Sequence, residues 1–162
     1  MQAYRIAGVT YPEDFNDFTD YLDSYYYVPF VARALDIKQA MIWQSGYTLE
    51  SENEHMLRRA NEFLAEIEAD TVIRAGPLYA MIFGNMYWRV ERKDEKTRLV
   101  PLNPLKMGIT LNKNTGELTN YVYQPKFGKT VKYPPDEIVH LKFNAEPWSP
   151  FGVSILVDAY RR

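Results

Sequence analysis

An α+β fold, helices first and an antiparallel β-meander after them, is the class this sequence predicts. Three observations predict it. Apolar residues recur at helical spacing from Asp14 to Phe83. The period switches from 3.6 to 2 at "NMYWRVER", residues 85–92. From there to Phe143, short alternating runs are separated by Pro, Gly and Asn turns.

Residues 4–12 read as a short edge strand or an unanchored arm. Asp14 to Tyr27 then reads as a helix with Phe15, Phe18, Leu22 and Tyr25 on one face. Asp14, Asp17, Asp20 and Asp23 drift along another face as a solvated acidic surface. No Asp-x-Asp-x-Asn-Gly loop with a late glutamate accompanies them, which argues against a cation site. A second helix, Val28–Trp43, opens at Pro29 and carries Val31, Ala34, Leu35, Lys38 and Ile42 as its inward stripe. "SGYTLES" follows as a turn and a short strand. Ser51 is placed as the N-cap of a third helix, with Glu54 completing a capping box. Leu57, Ala60, Phe63, Leu64 and Ile67 form the inner face of that helix, and His55 is a solvated surface histidine. Thr71 is placed as the cap of an apolar, central helix over 72–83, with a kink or restart at Gly76–Pro77. Gly84 ends it in the left-handed conformation.

The strand 85–92 alternates Met86, Trp88 and Val90 with Tyr87, Arg89 and Glu91. "KDEKT" is a polar hairpin turn and "RLVPL" the returning strand. "NPLKM" is a corner, since Pro104 has no N–H for a ladder. "GITLN" and "LTNYVYQ" are strands around "KNTG", where Gly116 takes the positive-φ position. "KTVKY" and "EIVHLKF" are two more, around Pro134–Pro135. The chain then enters a last helix at "GVSIL", and Val153, Leu156, Val157 and Tyr160 form a stripe with no later partner in the sequence.

Composition bounds the function. The 162 residues suggest one domain, 46% hydrophobic and 15% aromatic, which excludes extended disorder. A net charge of −2 lacks the basic surplus of a general nucleic-acid clamp. There is no cysteine, hence no disulfide scaffold or thiolate chemistry. No apolar run approaches a bilayer span of about 20 residues, and no secretory signal is visible at the N-terminus.

Catalytic motifs are missing: no GxGxxG, GxxxxGK[ST], HExxH or GxSxG occurs. Two histidines far apart make a poor zinc site. "PPDEIVHLK" superficially matches the acid-rich pattern of metal-dependent nucleases, yet His140 stands where a second acid is needed before Lys142. The thirteen tyrosines are spread along the chain rather than grouped with Lys and Arg, so packing at the core rim or an interface explains them better than base stacking. No catalytic, cofactor-binding or metal residue is assigned.

Four pieces occur in a recognisable order. Gly84, Asn85 and Tyr87 follow an apolar helix. Leu99, Pro101, Leu102 and Pro104 make a leucine–proline step. Pro134, Asp136, Glu137, Ile138 and His140 form the next piece, and Gly152, Ser154 and Leu156 open the last helix. Together they resemble the portal proteins of tailed viruses, over residues 28–162. Residues 1–27, an arm and acidic helix, lie outside the resemblance.

The roles expected of these residues are structural. Gly84 releases the chain from helix to sheet, and Asn85 satisfies loose backbone groups there. Pro101 and Pro104 turn a strand and stop edge pairing. Asp136 and Glu137 sit at a turn, His140 makes a core or interface hydrogen bond, and Gly152 and Ser154 free and cap the last helix.

The resemblance implies a wing domain cut before stem, clip and crown. It implies a non-enzymatic subunit of a dodecameric ring at a capsid vertex, through which double-stranded DNA is packaged and ejected. Implied partners are other copies of the chain, the major capsid protein, the terminase and head–tail connector proteins. The implied location is the virion, assembled in host cytoplasm, without membrane or cofactor. The alternatives are an interaction domain of a cellular protein and, less well supported by the residues, a metal-dependent nuclease using Asp136.

Overall fold

The computed structural model describes residues 6–93, 96–125 and 128–160. It confirms an α+β fold. Residues 4 and 5 of the expected arm and the tip of the "KDEKT" turn lie outside the described residues.

The N-terminal segment is neither a full strand nor a loose arm. Thr10 makes one antiparallel bridge to Ile109, with both backbone hydrogen bonds formed (2.7 and 2.9 Å). A short 3-10 turn, Phe15–Asp17, leads into α1, Phe18–Tyr27. The face that packs is Phe15, Phe18 and Tyr21, with Leu22 and Tyr25 only partly covered. Helix α2, Pro29–Trp43, starts with proline in its first turn, where no N–H is required. Of the stripe expected on it only Leu35 is buried, and Ile42 is exposed.

The expected strand at 45–51 does not form; Gly46, at φ 63°, turns the chain instead. The cap of α3, Glu54–Glu66, is Asn53 rather than Ser51. Its Oδ1 accepts from the N–H groups of His55 and Met56 (3.0 and 3.2 Å), while the Ser51 hydroxyl accepts only from Asn53 N–H. The asparagine sits directly before the first turn and reaches two orphan donors at once. None of the residues within α3 is buried, so the expected inner face is a partly covered one; only Ile67, at the C-cap, enters the core.

Thr71 caps nothing. It lies inside a short helix α4, Ala69–Val72, and α5 begins afresh at Gly76–Phe83. The restart at Gly76–Pro77 is as expected, and the absence of a side chain at Gly76 admits the Trp88 indole. Gly84 ends α5 at φ 73°.

The strands form two sheets, not one meander. β1 (Asn85–Lys93) is the centre of the first, flanked by β2 (Lys96–Leu102) and β6 (Ile138–Lys142). β3 (Met107–Leu111), β4 (Leu118–Tyr123) and β5 (Val131–Tyr133) form the second. All pairings are antiparallel. The "NPLKM" corner is a 3-10 turn at Pro104–Lys106, capped by Asn103 Oδ1 on Leu105 N–H (2.9 Å). It carries the chain from one sheet to the other.

Three layers result. On one face of the central sheet, Met86 and Trp88 pack with Ala80 of α5. On the other, Tyr87 packs with Ile109, Tyr121 and Tyr133 of the outer sheet. The expected inside–outside alternation of β1 therefore fails over Asn85–Trp88, where all four residues are buried. A strand between two layers has no solvent face. The helical layer, α1 and α2 on α5, has its own core of Phe15, Phe18, Tyr21, Leu35, Met81, Ile82 and Phe83.

Candidate functional site

Six residues of the four pieces, Gly84, Asn85, Tyr87, His140, Gly152 and Ser154, meet at one junction, where α5 hands over to β1. The backbone conformation of Gly84 turns the chain there. A Cβ on Gly84 would lie 2.6 Å from the carbonyl oxygen of Gly152, so two glycine backbones touch. Gly84 C=O accepts from Phe143 N–H (2.8 Å), and Phe143 C=O accepts from Val153 N–H (2.8 Å). Residues 143–155 are thus strapped across the C-terminal end of α5.

Asn85 is the centre of the strap and is wholly buried. Its Nδ2 donates to the carbonyls of Phe83 (3.0 Å) and Gly152 (3.2 Å). Its Oδ1 accepts from Gly152 N–H (2.8 Å) and lies 2.9 Å from His140 Nε2. Both donors and both acceptor positions of the amide are used.

His140 faces Asn85 from β6, opposite Tyr87 in the β1–β6 register. Because Asn85 Oδ1 can only accept, Nε2 carries the proton, and Nδ1 accepts from Tyr121 O–H (3.2 Å). The ring stacks on Tyr87 at 4.2 Å between centroids and meets Tyr121 edge-on at 5.7 Å. Burial, and secondarily the Lys142 ammonium, pushes the His140 pKa down from 6.5 to about 3. Full burial and the neighbouring Tyr121 hold the Tyr87 phenol well above 10. The histidine is neutral and structural at ordinary pH.

Ser154 completes the strap but does not cap a helix begun at Val153. Its hydroxyl donates to the Ile82 carbonyl (2.6 Å), one of the orphan acceptors at the end of α5, and accepts from Leu156 N–H (3.0 Å). Ile155 N–H donates to Met81 C=O (3.0 Å). The last helix, α6, starts only at Val157 and runs to Tyr160. Leu156 and Val157 are buried, and Leu156 packs in the helical core against residues earlier in the chain. The side chain of Tyr160 lies outside the described residues.

Pro101, Pro104, Asp136 and Glu137 lie elsewhere. Pro101 is exposed on the edge strand β2, opposite Trp88. Pro104 is buried at the sheet-to-sheet corner. Asp136 and Glu137 form a 3-10 turn before β6, with Asp136 exposed. Ser149 was not singled out, yet its hydroxyl donates to Phe151 C=O (2.6 Å) and shapes the loop before Gly152. The cluster Ser-Pro-x-Gly was its only sequence signal.

Among the described residues no group of three His, Cys, Asp or Glu side chains could hold a metal ion, and no helix is long and apolar enough to cross a membrane. The arrangement can hold the segment leading to α6 at a fixed angle to α5 and both sheets.

No protein-family model matches the sequence, and no curated protein matches it either. Solved structures do share the fold. A chain in the virion of the native gene transfer agent (GTA) particle matches with a TM-score of 0.71 at 15% identity, over 97% of this chain and 43% of that one. A chain in the neck of the empty GTA particle, computed with C6 symmetry, gives 0.73 at 16% identity over 95% and 44%. One in the neck of the native particle, computed with C12 symmetry, gives 0.69 at 15% over 99% and 43%. This chain therefore spans less than half the length of the structures it matches.

Proposed function

We propose that this chain is the wing-like part of a portal subunit. In this reading it belongs to a ring at the capsid vertex through which double-stranded DNA is packaged and ejected, and it works by assembly rather than catalysis. The observation that carries the reading is the fold shared with chains of a virion and its neck over nearly the whole of this chain. A second observation supports it: Gly84, Asn85, Tyr87, His140, Gly152 and Ser154, drawn from three of the four pieces of the portal resemblance, converge on one strap.

The partners in this reading are further copies of the chain, twelve to a ring, the major capsid protein, the terminase and head–tail connectors. The location is the virion. A nuclease role is disfavoured by His140, whose two ring nitrogens are engaged by Asn85 and Tyr121.

The test is to express the complete reading frame containing this chain and image the product by negative-stain electron microscopy. Rings with a central channel are expected. A monodisperse monomer overturns the reading and favours a cellular interaction domain.

A further inference from the structure

We propose, resting on that ring reading, that the exposed face of α1–α2 docks onto the outer sheet of the next copy of the same chain. Apolar side chains form the centre of the contact, and aspartates of one copy lie beside lysines of the other.

Helix α2 has two apolar faces and uses one. Leu35 is buried in the helical core, with Val31 packed against it. Phe30, Ala34, Ile37 and Met41 recur at i, i+4, i+7 and i+11 on a different face. Phe30 is 83% exposed, Met41 61% and Ile37 46%, and Tyr27 adds a ring at 79%. Singly exposed apolar residues are ordinary, but a continuous stripe on a helix marks a contact surface.

Charge decides what covers it. The sequence from 17 to 43, spanning α1 and α2, carries four aspartates against one arginine and one lysine. The sequence from 106 to 133, spanning the outer sheet, carries five lysines and one glutamate. These layers lie on opposite sides of the central sheet. A closed ring of identical subunits needs two different, mutually complementary surfaces on each copy, whereas a self-complementary patch stops at a dimer. Opposite charges on opposite flanks favour helix-to-sheet contact and disfavour helix-to-helix contact.

The test uses the polypeptide from the complete reading frame, read by sedimentation and negative-stain imaging. One variant carries Asp20→Lys with Asp23→Lys, making both flanks basic. A second carries Lys113→Glu, Lys129→Glu and Lys132→Glu, which leaves two lysines against four glutamates on the sheet and makes both flanks acidic. All five positions are exposed, and the unfolding midpoint of each dissociated variant checks that the fold is retained. Each variant alone is expected to lose about tenfold or more of its ring fraction. Mixing the two restores rings, because alternating copies again present opposite charges. Phe30→Asp lowers the ring fraction and leaves the unfolding midpoint of the dissociated chain unchanged.

Rings undiminished in all three variants overturn this contact while the ring reading stands. Loss without rescue in the mixture overturns the helix-to-sheet pairing. A lowered midpoint for Phe30→Asp with unchanged assembly means that another part of the same polypeptide covers the face, and overturns the proposal. Absence of rings in the unmodified protein overturns both readings.

Discussion

Asn85 and Gly152 lie 67 residues apart and are joined by two hydrogen bonds running in opposite directions. The asparagine amide donates to the glycine carbonyl and accepts from the glycine N–H. The side chain thereby acts as one more rung of backbone, and the strap from 143 to 155 is held at Gly152 as well as at its ends. Removing it affects the end of α5, the start of β1 and the approach to α6 together.

Asn85→Ala is expected to lower unfolding free energy by about 3 kcal/mol or more, measured by urea denaturation. It leaves the Gly152 N–H, two carbonyls and His140 Nε2 without this partner in a buried site, and each orphaned group costs roughly 1–3 kcal/mol. A loss below about 1 kcal/mol would show that water replaces the amide.

Glycine substitutions separate close approach from backbone conformation. Gly116, at φ 74°, has open space where a Cβ would go, so Gly116→Ala is expected to cost only about 1 kcal/mol. Gly152→Ala would push a Cβ into the backbone of Gly84 and Phe143, and has to open the strap. It should cost several times more by thermal or urea unfolding. Equal costs at the two positions would contradict the packed junction.

Ser154→Ala removes a donor to Ile82 C=O and an acceptor for Leu156 N–H. A loss of about 1–3 kcal/mol is expected. Hydrogen exchange should quicken at Ile155 and Leu156 before it does in the outer sheet. Uniform quickening over the chain would show that Ser154 contributes only to global stability.

Acid should weaken the fold through His140. Its folded pKa, about 3, lies below the ordinary 6.5. The unfolded state therefore binds the proton first, and the stability held above pH 6.5 is lost as pH falls toward 3. The slope from this group reaches at most about 1.4 kcal/mol per pH unit. His140→Gln should flatten the dependence between pH 6 and 4, and an unchanged slope would assign it to other groups.

Nuclease chemistry is checked at Asp136. Neither the parent chain nor Asp136→Ala is expected to cleave DNA with added magnesium or manganese. Metal-dependent cleavage abolished by the substitution would reverse the assembly reading.

The helices, the turns at Gly84 and Gly116, the restart at Gly76–Pro77 and most strands were legible because each rests on local chemistry: periodicity, a missing N–H, or a φ that only glycine adopts without strain. Asn85, His140, Gly152 and Ser154 were visible as residues, but their mutual contacts were not. Local spacing also misassigned the cap of α3, where Asn53 sits two residues nearer the first turn than Ser51.

Sequence alone determined the turns at Gly84 and Gly116 and the longer helices and strands, but not the segments 4–12, 45–51 and 152–156. Tertiary structure decided that β6 returns to β1, that the strands split into two sheets, and that one face of α2 is left outside. The physical reason is range. Propensity and capping act over a few residues, whereas strand pairing and burial are settled by whichever distant surfaces cover each other best, as Asn85 and Gly152 do across 67 residues.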